Sequence, residues 1–156
     1  MATTTDPKTV VPSGSFTPRR SPAAAAKAVR APVKSTFKMK LSKDNILIGY
    51  FGVNSSGWGV LADGAANAVT FEPYPYGGVM YYKNHANGNW LSISSGSYAG
   101  FYDNWTSAES CVYTKDNRRF ICSDGGQALS LYSKDNGYLY FWDAYGPLQV
   151  DFDYED

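Results

Sequence analysis

Three stretches of the chain repeat one pattern at intervals of forty residues: WGVLAD at 58–63, YAGFYD at 98–103 and YLYFWD at 138–143. Each stretch opens on an aromatic residue, has a large hydrophobic residue three positions later and closes on an aspartate. A pattern that returns at a fixed spacing of this length is typical of a fold built from structural repeats. The sequence therefore predicts a threefold internal repeat.

Composition and turn residues indicate strands rather than helices. Aromatic residues make up 16% of the chain, which also has thirteen tyrosines and fifteen glycines, a mixture that favours strands and turns. From residue 36 onward, apolar runs such as NILIGYF and ALSLY alternate with turn-forming stretches at 55–57, 94–96 and 134–137. The pair Asn136-Gly137 is the strongest hairpin signal, because both central residues of a type I′ turn need positive φ.

A second hairpin is predicted around Asp116-Asn117. With these two residues at its tip, Val112 faces Ile121 and Cys111 faces Cys122. Opposed cysteines could form a disulfide in an oxidising compartment, or remain two small buried thiols. The lack of a recognisable secretory signal favours the reduced pair.

The repeat extends beyond the three windows. Leu47, Leu91 and Leu129 align upstream, and Ala68, Ala108 and Leu148 align downstream. Three repeats of about forty residues, each with about four short strands, fit a β-trefoil, whereas a propeller needs at least four blades and an immunoglobulin-like sandwich has no threefold period. We therefore predict an all-β fold, a β-trefoil over residues 35–156, preceded by an arm at residues 1–34.

Two long stretches carry a family resemblance. GNWLSISSGSYAGFYDNWTSAESCVY at 88–113 and QALSLYSKDNGYLYFWDAYGPLQVDF at 127–152 resemble the repeat of fascin-type β-trefoils, with a G-x-Y-L-S-like strand, a turn, a hydrophobic strand and a spaced A-x-x-F strand. The resemblance covers about 120 residues and implies a binding module, as in fascin-like and lectin-type trefoils, rather than an enzyme. The QxW signature of ricin-type lectins is absent, which leaves that particular sugar site unsupported.

The arm differs from the rest of the chain in charge and composition. It is rich in Pro, Ala and Thr without hydrophobic periodicity, so we expect it to be disordered and flexible by itself. Residues 1–43 carry nine of the fourteen Lys and Arg residues and one of the fourteen acidic residues, a net charge of +8 that the other residues balance with −8. The candidate contact residues of the arm are Arg19, Arg20, Lys27, Arg30 and Lys34.

Three interpretations suit such an arm, of which two involve a partner. The acidic body of a neighbouring copy is one, which would give self-association, and nucleic-acid phosphates are another. Aromatic residues for base stacking are scarce in the arm, so nucleic acid is the weaker expectation. A plain solvated tether is the third interpretation.

Hydropathy predicts a soluble protein without membrane insertion, since no apolar run reaches the length of a membrane span. The alanines at 23–26 are too short, and too close to Arg20 and Lys27, for the apolar region of a secretory signal. We therefore expect a cytoplasmic location, although the composition of the arm also fits a transit peptide.

The chain offers little for catalysis. His85 is its single histidine, and its two cysteines are expected to face each other, so a zinc site with the usual ligands cannot be assembled. A Ser-His-Asp triad would have His85 as its single candidate base. A lone loop histidine is most often a solvated turn residue. No GxSxG, GxGxxG or P-loop motif occurs. We expect a protein that is not an enzyme and that needs neither cofactor nor metal.

The repeated aspartates are the candidate ligand-binding residues. Asp103 is followed by Asn104 and Trp105, and Asp143 has Tyr145 two residues later, whereas Asp63 lacks a nearby ring. A carboxylate beside an aromatic face suits a sugar, which has both hydroxyl groups and a C–H face. The competing interpretation is that each aspartate caps a turn at the end of a strand.

Three functions follow as hypotheses. The leading one is lectin-like recognition of a carbohydrate or glycoprotein without catalysis. The second is a structural component of a filament or particle coat, tethered by the basic arm. The third is a fascin-like cytoskeletal cross-linker, which with one trefoil per chain would need oligomerisation.

Overall fold

The structure, a computed structural model, describes residues 14–20, 35–131, 137–142 and 146–155. Within these ranges the chain is all-β, as predicted, with only two single-turn 3-10 helices, Ala65–Asn67 and Trp105–Ser107, between strands. The strands are β1 (Phe37–Lys43), β2 (Ile46–Val53), β3 (Gly59–Ala62), β4 (Phe71–Tyr76), β5 (Val79–Asn84), β6 (Trp90–Ile93), β7 (Ala99–Tyr102), β8 (Cys111–Thr114), β9 (Arg119–Cys122), β10 (Leu129–Ser130), β11 (Tyr140–Phe141) and β12 (Gln149–Tyr154). No helix in these ranges has the length and apolar character that crossing a membrane requires.

Antiparallel pairing runs through most of the strands in one curved sheet. Its order is β3-β2-β1-β4-β5-β6-β7, and β12 also pairs with β1. The two ends of this path approach each other, because Trp58 beside β3 bridges Gly100 in β7. The sheet is therefore nearly closed, and β8–β9 and β10–β11 form two further hairpins.

Side-chain hydrogen bonds and positive φ angles stabilise the tight turns that precede the repeated windows. In the first, the Asn54 Oδ1 atom accepts hydrogen bonds from the backbone N–H groups of Ser56 and Trp58, and in the second the Ser94 hydroxyl accepts one from Tyr98. The residues before the leading aromatics, Gly57, Ser97 and Gly137, all have positive φ, at 91°, 72° and 75°. The turns predicted at 55–57 and 94–96 are confirmed. Of the pair Asn136-Gly137, the first residue lies outside the described residues.

The three windows meet in a cyclic set of hydrogen bonds. Phe101 N–H donates to Gly57, Phe141 to Ser97 and Leu61 to Gly137, each over 2.8–2.9 Å to the carbonyl oxygen. Isolated bridges repeat the cycle, joining Trp58 to Gly100, Tyr98 to Tyr140 and Tyr138 to Val60. Residues at the same position in the three windows therefore have corresponding hydrogen-bond partners, each in the next window of the cycle.

The upstream alignment of the repeat was wrong in the first window. Strand pairing places Phe51 opposite Leu61, just as Leu91 lies opposite Phe101 and Leu129 opposite Phe141. Leu47 instead lies at the start of β2, opposite Ser42 of β1, and 53% of its surface is exposed. The reason is that β2 is eight residues long. Leu47 lies near its start, whereas the part of β2 that pairs with β3 begins only at Tyr50.

Aromatic rings fill the centre of the molecule. Phe37, Phe51, Phe71, Phe120 and Phe141 are almost completely buried. The Phe71 ring centroid lies 5.2 Å from that of Phe51 and 5.9 Å from that of Phe101. Burying a side chain of this size contributes about 1.5–3 kcal/mol to stability, so this core explains how a chain with few leucines can fold.

The predicted β8–β9 hairpin is confirmed in its register. Val112 lies opposite Ile121 and Cys111 opposite Cys122. Both cysteines are free and buried. Burial, followed by the negative charge of Glu109, raises the pKa of the Cys122 thiol to about 11, and burial raises the pKa of Cys111 well above its ordinary value.

Both thiols should therefore resist alkylation in the folded protein. Iodoacetamide at pH 8 is expected to modify neither Cys111 nor Cys122 within a time that modifies both in urea, because the thiolate is the reactive form. Folding raises the pKa of the Cys122 thiol from its ordinary value of about 8.5 to about 11. The contribution of this thiol to the free energy of unfolding is therefore fully present below about pH 8.5 and is lost as the pH rises through 11. Mass spectrometry measures the labelling, and equal rates in buffer and urea would contradict the prediction.

Candidate functional site

The loop after β7 carries the best-equipped of the predicted sites. Asp103 is exposed. The Asn104 Oδ1 atom accepts hydrogen bonds from the backbone N–H and the hydroxyl of Thr106, at 3.0 and 2.7 Å. Asn104 thus caps the 3-10 helix Trp105–Ser107, whereas the competing interpretation of the sequence assigned such a cap to the aspartate.

Trp105 packs against two tyrosines from neighbouring strands. Its ring centroid lies 5.3 Å from that of Tyr76 in β4 and 6.4 Å from that of Tyr81 in β5, with the planes nearly perpendicular. Tyr76 is 53% exposed. We call Tyr76, Tyr81 and Trp105, together with the exposed Asp103, the aromatic face. The two tyrosines were not predicted, because only strand pairing brings them to the loop.

A polar network lies beside the aromatic face. The Lys83 Nζ atom sits 5.0 Å from the Tyr74 ring centroid and 5.4 Å from that of Trp90. The Tyr74 hydroxyl donates to the buried carboxylate of Glu72 over 3.4 Å. Glu72 Oε1 also lies 2.6 Å from His85 Nδ1. His85 was predicted to be a solvated turn residue; its side chain is 58% exposed, but one ring nitrogen is paired with this carboxylate.

The other predicted ligand-binding residues are less well equipped. Asp63 is exposed and is followed by the 3-10 helix Ala65–Asn67, which contains no aromatic residue. Asp143 and Tyr145 lie outside the described residues. Among the residues that are described, no three His, Cys, Asp or Glu side chains come together as a metal ion would require.

Seven residues of the arm lie against the body of the chain. The backbone N–H of Phe16 donates to Ser56 over 2.8 Å, and that of Arg19 donates to Ile93 over 2.7 Å. The Trp58 Nε1 atom donates to the Gly14 carbonyl over 2.7 Å. Residues 14–20, expected to be disordered, therefore follow the tips of the β2–β3 and β6–β7 hairpins, while Lys27, Arg30 and Lys34 lie outside the described residues.

Phe16 fills a pocket between these hairpins. It is 5% exposed, and its ring meets that of Trp58 edge-on at 5.1 Å. Gly100 forms the floor of the pocket, since a Cβ atom at this position would lie only 1.9 Å from the Phe16 ring. Tyr98 continues the cluster behind Trp58, at 6.1 Å between centroids. The pocket thus uses the leading aromatic residues of two repeats.

Arg19 pairs with a carboxylate that is almost inaccessible to water. Its Nε atom lies 2.8 Å from Glu109 Oε2, its Nη2 atom 3.3 Å from Oε1, and the Glu109 side chain is 1% exposed. Nη2 also donates to the Asp124 carbonyl. Burial lowers the pKa of Arg19, but the hydrogen bond and charge of Glu109 outweigh burial and leave that pKa raised. A buried carboxylate is costly unless paired, so the arm completes this part of the body.

Arg20 adds a second, more exposed cation. Its Nη2 atom lies 3.5 Å from Glu109 Oε1 and 3.5 Å from Asp124 Oδ2. We call the surface formed by Trp58, Gly100, Glu109 and Asp124 the arm-binding surface. The charge asymmetry indicated an acidic partner for the arm, but nothing in the sequence singles out Glu109 or the pocket for Phe16.

Comparison of the chain with protein-family models, with curated proteins and with solved structures gives no match.

Proposed function

We propose that the chain is a β-trefoil protein that acts by binding. Its twelve described strands divide into three consecutive sets of four. The corresponding pairs β2–β3, β6–β7 and β10–β11 lie within the three sets, and the pairs β4–β5, β8–β9 and β12–β1 join one set to the next. The first two sets have further internal pairs, β1–β2, β1–β4 and β5–β6. The cyclic hydrogen bonds among the three windows support the same threefold arrangement.

We infer that the ligand is a carbohydrate and that binding proceeds without catalysis. The observation that carries this inference is the aromatic face, where the exposed Tyr76 ring packs on the partly exposed Trp105 ring and the exposed Asp103 precedes Trp105 by two residues in the same loop. The C–H face of a pyranose can pack on Trp105 and Tyr76, while Asp103 accepts hydrogen bonds from sugar hydroxyls. The loop capped by Asn104 holds the indole ring in place before the ligand arrives.

As the carbohydrate site, we prefer the loop that contains Asp103 to the loop that contains Asp63 for a physical reason. Asp63 and Asp103 occupy equivalent positions, and each precedes a 3-10 helix. Of these two helices only the second begins with a tryptophan, so of these two aspartates only Asp103 has an aromatic residue two positions later. Asp63 therefore provides a matched control for Asp103.

Replacing Trp105 with alanine should weaken glycan binding at least about tenfold, because a tryptophan at the centre of a site often supplies 2 kcal/mol or more. A glycan array with the full chain identifies a ligand, and isothermal titration then measures the affinity of each variant. Asp103→Asn should also weaken binding, whereas Asp63→Asn should leave it unchanged. A chain that binds no glycan, or a Trp105→Ala variant that binds as the wild type does, would refute the proposal.

A further inference from the structure

We propose that the arm-binding surface is a peptide-recognition site that takes residues 14–20 from a second copy of the chain, so that copies are joined by exchanged arms. The proposal goes beyond carbohydrate recognition and does not depend on it. It assigns a ligand class to the surface: a segment with an aromatic residue followed three positions later by arginine.

The contacts of residues 14–20 are those of a specific binding site. Phe16 is a buried aromatic anchor, and Arg19 makes two hydrogen bonds to the buried carboxylate of Glu109. Binding sites commonly obtain most of their energy from such aromatic and arginine anchors. Hydrogen bonds from the backbone at Phe16 and Arg19 fix the register of the segment between them.

These contacts do not require that segment and surface belong to one copy. Exchange of an identical element between copies preserves every contact and is a low-cost route to association. Fourteen residues, 21–34, separate the segment from the described part of the body. At about 3.3–3.6 Å per extended residue they can reach up to about 50 Å, far enough to reach a neighbouring molecule.

The charge distribution favours encounter between copies. The arm, residues 1–34, carries six Lys and Arg residues and one acid, a net charge of +5, and residues 35–156 carry eight bases and thirteen acids, a net charge of −5, so the arm of one copy is attracted to the body of another. Within one copy, the tether supplies the arm at an effective concentration in the millimolar range. Exchange is therefore expected where copies are crowded, or where docking within one copy is blocked.

The first experiment uses a labelled peptide, PSGSFTPRRS, corresponding to residues 12–21. Its binding is followed by fluorescence anisotropy on the full chain carrying Phe16→Ala and Arg19→Ala, which leaves the surface vacant. The peptide should bind this variant at least about tenfold more tightly than the wild type, whose own arm competes. A peptide with alanine in place of Phe16 should not bind. Equal binding to both proteins, or none to the variant, overturns the proposal.

The second experiment mixes two full-length variants in sedimentation velocity. One is the Phe16→Ala, Arg19→Ala chain, which keeps the surface; the other is Gly100→Ala, which keeps the arm but closes its pocket. Each alone should sediment as a monomer, and the mixture should form a heterodimer that high salt dissociates. Cooperative thermal unfolding shows whether both variants are folded. If the Gly100→Ala chain is not folded, Glu109→Gln replaces it as the variant with a defective surface. A mixture that sediments as two monomers overturns the proposal.

Discussion

Replacing Phe71 with alanine is expected to lower the free energy of unfolding by about 3–5 kcal/mol, the usual cost of removing a fully buried phenylalanine ring. The Phe71 ring lies between Phe37 of β1, Phe51 of β2 and Phe101 of β7, with centroids 5.2–5.9 Å away. Its removal would leave a cavity between β1, β2, β4 and β7. The three neighbouring rings could not fill that cavity without movement of the strands that carry them.

Urea unfolding followed by tryptophan fluorescence measures this loss, and the melting temperature Tm should fall by about 10–20 °C. Tyr76→Ala is the matched control, since Tyr76 lies on the same strand but is 53% exposed. It should cost less than about 1 kcal/mol. A Phe71→Ala variant as stable as Tyr76→Ala would show that β4 does not direct its first residue into a common core.

Gly100→Ala should release residues 14–20 while leaving the body folded. The added methyl group would lie 1.9 Å from the Phe16 ring, and this ring cannot retreat because Trp58 stands edge-on to it. The backbone of Gly100 has ordinary negative φ, so alanine introduces no strain of its own. The loss of stability is therefore limited to the free energy of docking the segment.

Trypsin measures this release directly, since Arg19 and Arg20 are its cleavage sites within the docked segment. Cleavage after Arg19 or Arg20, identified by mass spectrometry, should become at least about tenfold faster in Gly100→Ala, because proteolysis follows the population of the open form. Gly64→Ala is the control, as a Cβ atom at Gly64 meets nothing within 4 Å. Equal cleavage rates in Gly100→Ala and wild type would mean that Phe16 does not occupy the pocket.

Local features of the fold could be predicted from the sequence. Turn residues and apolar runs are adjacent in the chain, so the turn at 55–57 and the pairing of Cys111 with Cys122 were predicted in their observed places. The choice of Leu47 as a repeat position was wrong because spacing alone cannot distinguish the start of a long strand from its paired segment. Phe51 holds that position, and only strand register shows it.

The candidate sites depend on contacts between distant parts of the chain, which local patterns do not contain. The face around Trp105 needs Tyr76 and Tyr81 from the preceding strands. The sequence predicted that residues 14–20 are disordered, because nothing near them in the chain indicates that Phe16 is buried. The floor of the Phe16 pocket is Gly100, which lies 84 residues further along the chain. Of this arrangement, the sequence predicted only the attraction of Arg19 and Arg20 to acidic side chains.

The position of Gly100 also limits how many neighbours one copy can have. The cyclic bridges give Val60, Gly100 and Tyr140 corresponding positions, but of these three residues only Gly100 lacks a side chain, so among these positions a phenylalanine ring fits at Gly100 alone. Each copy can then donate one arm to a neighbour and bind one arm from a neighbour. With one donor and one acceptor per molecule, exchange between copies can close into rings or extend into unbranched chains, but it cannot build a branched network.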